Sequence, residues 1–165
     1  IEFDLQGQAG PGLLPGNEVP AVSAAGTGTG GELGSNITYD PATMILTLNF
    51  GWGSANGFTD LSGTATAAHL HGATNGSQTI SSNVLQGFSG FDTAADSGSV
   101  MATLTLNATE AAIVLDGRSY LNVHTSANGG GEIRGNLVRV SSIPEPSSSA
   151  LLAIVGLAGM ARRRR

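Results

Sequence analysis

The three histidines of this 165-residue chain fall where they could share one ion. His69 and His71 flank Leu70. Side chains alternate along a strand, so an extended segment 64–71 puts both imidazoles on one face. His124 sits in Leu121-Asn122-Val123-His124-Thr125, where Leu121 and Val123 read as core and His124 faces away. If the two strands are neighbours, the three rings converge. Three histidines around an open position suit zinc or copper, and a His-x-His strand pair is a familiar way to supply two of them. Glu132 is the nearest carboxylate that could join or orient such a set. The same rings also fit hydrogen-bonded struts near turns, donating to a carbonyl and accepting from an amide. Residue types alone leave both readings open.

Other chemistry finds little support. The chain has no cysteine, which removes disulfides, thiol catalysis and zinc–thiolate sites. Serines are plentiful, but no Gly-x-Ser-x-Gly elbow occurs. Gly26, Gly28 and Gly31 match a phosphate-cradling GxGxxG in form only, because no apolar strand leads in and no helix follows. Glu132 and Arg134 flank Ile133 and so share a face. They could pair, or Arg134 could hold a loop carbonyl, on what reads as the solvated side of a strand. No catalytic residue is assigned, and the expectation is a protein that is not an enzyme.

The elements that must position the histidines are strands. Alternation in 1–5 gives a first strand, and Gly10-Pro11-Gly12 with Pro15-Gly16-Asn17 breaks it. Segment 37–50 predicts a hairpin that turns at Asp40-Pro41-Ala42-Thr43. Trp52 and Phe58 follow in a glycine-rich connection as caps on the core. Further strands are predicted at 64–71, 84–88, 99–106, 119–125 and 132–140. Asn107-Ala108-Thr109-Glu110 is a capping box that opens a short helix over 108–116, stopped by Gly117. The expectation is therefore all-β, an antiparallel immunoglobulin-like β-sandwich over 1–140 with one short helix.

Only 12% of residues are charged, lysine is absent, and glycine numbers 25, a profile that favours a secreted β-rich protein over a cytoplasmic enzyme. The formal charge is −5, but four of the seven basic residues are Arg162, Arg163, Arg164 and Arg165. Without them three basic residues face twelve acidic ones, a net −9. Such a body repels nucleic acid and anionic membrane surfaces, so nucleic acid is excluded as a partner.

The arginines close a tail with three parts in fixed order. Pro144-Glu145-Pro146 is followed by a serine-rich hinge, then an apolar stretch 150–161, then the arginine cluster. No charged side chain lies between Glu145 and Arg162. A C-terminal hydrophobic helix is predicted there. It is short of the roughly 20 residues a bilayer needs, and spans or inserts only with its uncharged flank and snorkelling arginines. The cluster orients the tail with the arginines on the cytoplasmic side and the domain outside. Ile1 in place of Met fits prior removal of a signal peptide, or a trimmed chain.

This order resembles the PEP-CTERM sorting signal of bacterial exosortase substrates, over residues 141–165. The resemblance implies an exosortase-type processing enzyme as partner and a tail held in the inner membrane before processing. It implies a precursor on the periplasmic face of that membrane and a product at the cell surface or outside the cell. The body resembles a CHRD domain from Asn17 to Val140. The residues that carry this are Ala67-Ala68-His69-Leu70-His71-Gly72, Tyr120-Leu121-Asn122-Val123-His124-Thr125 and Asn128-Gly129-Gly130-Gly131-Glu132-Ile133-Arg134-Gly135-Asn136-Leu137. Asn17-Glu18-Val19-Pro20 and Tyr39-Asp40-Pro41-Ala42-Thr43 fit that family's opening. The segment 72–95 departs from it, lacking a proline-rich run. The resemblance implies a β-sandwich; the functional expectation is a non-catalytic surface or matrix protein that binds matrix polysaccharide or copies of itself, and the alternative is a copper- or zinc-binding domain using His69, His71 and His124. No cofactor is required by that reading, whereas copper or zinc is required by the histidine reading.

Overall fold

The computed structural model describes residues 1–22, 26–34, 37–76 and 78–140. The Pro144-Glu145-Pro146 motif, the C-terminal helix and the arginine cluster lie outside these residues. Among the described residues no helix is long and apolar enough to cross a membrane.

Ten strands and one helix follow in chain order: β1 (Glu2–Gly7), β2 (Gly10–Pro11), β3 (Gly30–Glu32), β4 (Ile37–Asp40), β5 (Ile45–Trp52), β6 (Ala65–His71), β7 (Val84–Gly87), β8 (Gly98–Thr105), α1 (Ala108–Leu115), β9 (Tyr120–Thr125) and β10 (Ile133–Arg139). All pairings are antiparallel and join the strands in one sheet, ordered β3-β5-β4-β1-β10-β9-β6-β7, with β8 on β5 and β2 on β1. The described residues are thus all-β with a single short α-helix.

Strand β5 shows why the sheet closes on itself. Leu46, Leu48, Phe50 and Trp52 alternate with more exposed residues and are fully buried. Phe50 meets Phe88, just after β7 at the far end of the strand order, with ring centroids 5.6 Å apart. Trp52 meets Phe91 at the same centroid distance. The two ends of the sheet therefore face each other across one apolar core, a sandwich-like wrap. Phe3 and Leu5 of β1 also enter this core.

The predicted helix forms as its capping box dictates. Asn107 Oδ1 accepts from the amides of Thr109 and Glu110, and the Glu110 carboxylate accepts from the Asn107 amide. The glycine run 26–31 holds no phosphate cradle. It runs into β3, and a Cβ at Gly28 would lie 2.5 Å from Leu61 Cδ2 and 3.0 Å from Leu61 Cα, so close packing favours glycine there.

Candidate metal centre

Strands β6 and β9 are neighbours, with His69 opposite Asn122 and His71 opposite Tyr120. Directly opposed residues in an antiparallel pair share a face, so His124, two residues beyond Asn122, shares that face with both histidines. The other face carries Leu70, Leu121 and Val123, all fully buried in the core. One ligand atom from each imidazole lies within 4.8 Å of the others.

Backbone carbonyls fix which nitrogens are free. His71 Nδ1 faces the Ser82 carbonyl at 2.9 Å, and His124 Nδ1 faces the Gly129 carbonyl at 3.0 Å. A carbonyl can only accept, so both Nδ1 atoms carry the proton and both Nε2 atoms present a lone pair. His69 Nδ1 stands 3.0 Å from His124 Nε2 and must donate to it. His71 Nε2 is buried and has no hydrogen-bond partner. An orphaned lone pair costs free energy unless something else fills it.

The electrostatics favour the neutral forms of His69 and His71. Burial, with the neighbouring His124, pushes His69 below the ordinary histidine value. Burial pulls His71 down to about 4; the Ser82 carbonyl opposes this, and His69, His124 and Arg134 reinforce it. Neutral imidazoles at neutral pH are what a metal requires.

The polar face extends onto β10, where Arg134 is opposite Asn122 and Asn136 opposite Tyr120. This face is not solvated. Arg134 is fully buried, and so is Glu132, which corrects the expectation of a wet strand side. The expected alternatives for Arg134 resolve to the carbonyl anchor, since Nη1 donates to Ile80 O at 3.2 Å and Nη2 to Asn136 Oδ1 at 3.0 Å. Segment 78–83 thereby roofs the layer, and Glu18 closes it from the other side by accepting from Asn122 Nδ2 at 2.8 Å. Burial raises the Glu18 carboxyl to about 8, against the opposing pull of Arg134 and the Val19 amide, so it is protonated at neutral pH.

Glu132 serves neither as a ligand nor as a partner of Arg134. Its carboxylate accepts from Ser62 N and Oγ at 2.7 Å each, from Thr125 Oγ1 at 2.8 Å, and from Gly28 N and Asn128 Nδ2. Burial alone would raise this carboxyl, but those hydrogen bonds outweigh it and hold it below the usual glutamate range. The knot pins the turn 125–131, which is the turn that presents the Gly129 carbonyl to His124.

The residues that build this face, from Glu18 to Asn136, all lie within the stretch that a family comparison matches. The CHRD domain family matches residues 12–137. The chain belongs to the CHRD domain family. The PEP-CTERM protein-sorting motif matches residues 142–165, directly after the CHRD domain. That motif marks an exported protein whose membrane-associated precursor is handled by an exosortase and sorted to the cell surface. Neither family is enzymatic. No curated protein and no solved structure matches the chain. Within the CHRD domain, sequence reasoning found the three histidines but missed Glu18, Tyr120, Asn122 and Asn136 as parts of one buried layer. The available signal was the unbroken polar alternation of Tyr120, Asn122 and His124 against Arg134 and Asn136.

Proposed function

We propose that this exported CHRD domain is a non-catalytic surface protein that binds one transition-metal ion, copper or zinc, through His69, His71 and His124. The observation that carries the reading is the orphaned Nε2 of His71, buried and set beside two other imidazole nitrogens that converge within 4.8 Å. Two nitrogens bound to one zinc or copper at about 2.0–2.1 Å stand about 3–3.5 Å apart. The pair at 3.0 Å already meets that spacing, and a pair at the 4.8 Å limit needs to draw in by about 1.3–1.8 Å. His69 would hold the ion through Nδ1 and carry its proton on Nε2 instead. The carbonyl-held Nδ1–H groups of His71 and His124 supply the orientation that metal-bound histidines ordinarily receive. Three neutral ligands leave a position open for water or an exogenous ligand.

Calorimetric titration of copper(II) and zinc into the full chain tests this. One equivalent should bind near or below micromolar, and His71→Ala should weaken binding at least tenfold. Stoichiometry well below one, or an isotherm unmoved by His71→Ala, removes the metal reading. A domain that only adheres to matrix polysaccharide or to its own copies would give that result, and its binding would be indifferent to metal.

A further inference from the structure

We infer that Arg134 and Tyr120 are positioning residues for the His71 ligand, acting as a three-layer stack that aims its Nε2 at the other two imidazoles. The inference rests on the metal reading for its purpose, but its geometry is independent of any ion. Tyr120 and His71 are directly opposed on β9 and β6, and their rings stack 4.7 Å apart with an interplanar angle of 6°. The Arg134 guanidinium carbon lies 3.6 Å from the centroid of the same phenol ring. A phenol has two faces, and a guanidinium that close leaves no room on its side for a stacked imidazole. Arg134 and His71 therefore occupy opposite faces of Tyr120, as expected from strands that flank β9 on either side.

Each layer is held in its own plane. Arg134 is tied to Ile80 O and Asn136 Oδ1, and Ser82 ties the other two layers together. Its carbonyl accepts from His71 Nδ1, and it meets the Tyr120 hydroxyl through both its amide and that carbonyl, at 3.2 and 3.3 Å. The imidazole thus has no freedom to flip or tilt, and its remaining nitrogen points one way.

The cost of this arrangement argues that it does more than fill space. Burying a guanidinium is expensive, and apolar residues of like volume commonly replace buried charges without loss of stability. Here the charge is not neutralised at close range by an ionised carboxylate, because Glu18 keeps its proton at neutral pH. Planarity explains the choice of residue, since a guanidinium can stack flat on a phenol as an ammonium cannot. His71 is also the one histidine of the three that is more than nine-tenths buried, so it is the anchor of the set while His69 and His124 are partly open.

The test uses the full chain with copper(II) as probe, read by affinity and by electron paramagnetic resonance. Tyr120→Phe keeps the ring in the stack but loses its ties to Ser82, and should weaken binding less than Tyr120→Leu does. Tyr120→Leu and Arg134→Met remove it and should weaken binding about ten- to a hundredfold with an altered copper spectrum. Parent-like affinity and spectrum in Tyr120→Leu overturn the inference while leaving the metal reading intact. A parent that binds no copper overturns the metal reading instead. Ring nitrogen NMR of the metal-free parent decides the geometry even then, or if the variants fail to fold. His71 should show a single Nδ1–H tautomer, and averaging between tautomers would overturn the inference.

Discussion

At the scale of single residues, two buried groups pull the pH dependence of the metal-free protein in opposite directions. His71 has a folded value near 4, below the ordinary 6.5, so the unfolded chain takes up its proton first. Stability from this group is whole above about pH 6.5 and is lost as pH falls towards 4. Glu18 is shifted from 4.5 up to about 8. Its contribution is whole below about pH 4.5 and is lost as pH rises through 8. Urea denaturation of the metal-free chain should therefore show weakening on both flanks of the neutral range. Glu18→Gln keeps an acceptor for Asn122 but cannot ionise. It should raise stability on the order of 2 kcal/mol above pH 8 and change little at pH 5. A variant with an unchanged alkaline limb would mean that Glu18 is ionised in the fold. Glu132 behaves differently, because its five donors favour the charged form. Glu132→Ala strands those donors and should cost about 3 kcal/mol in the same assay.

At the scale of elements, the turn between β9 and β10 decides whether His124 can serve as a ligand. Gly131 has φ +125°, and a Cβ there would lie 2.4 Å from Asn122 Nδ2 and 2.7 Å from Glu18 Oε1. Neither neighbour is free to retreat, since they hydrogen-bond each other inside the layer. Gly131→Ala should displace the turn and the Gly129 carbonyl with it. Copper affinity should then fall at least tenfold, more than any loss in the midpoint of thermal unfolding would suggest. Much of this was legible in the sequence, as the His-x-His pair, the capped helix, the β4–β5 hairpin and the core positions Leu121 and Val123 all show. What stayed hidden has a physical reason. Period-two alternation separates two faces of a strand but does not say whether the polar one meets water or a lid. Arg134 and Glu132 looked solvated because charged residues usually are. Their burial depends on segment 78–83 and on Glu18, which are remote in sequence. β2 and β3 were also illegible, because Gly-Pro and Gly-Gly-Glu have no apolar period to read.

At the scale of the whole molecule, the family match and the folding unit differ at one end. The CHRD match begins at residue 12, yet β1 lies between β4 and β10 in the interior of the strand order. It pairs with β10 from Phe3↔Arg139 to Gln6↔Asn136, and buries Phe3 and Leu5. The ties reach both ends of this pair, with the Ile1 amino group on Tyr39 O and the Val140 amide on Glu2 O. Removing β1 would open the sheet at its middle, strip two large side chains from the core and expose the edges of β4 and β10. Each lost core side chain costs about 2–5 kcal/mol, and a domain of this size holds about 5–15 kcal/mol in all. A chain trimmed to 12–137 should therefore fail to fold. A chain of 1–140 should unfold cooperatively and bind copper with the parent's affinity. Near-ultraviolet circular dichroism and thermal melts of the two fragments separate these outcomes. A cooperative melt from 12–137 would show β1 to be dispensable, and with it the view that the sheet closes through its first strand.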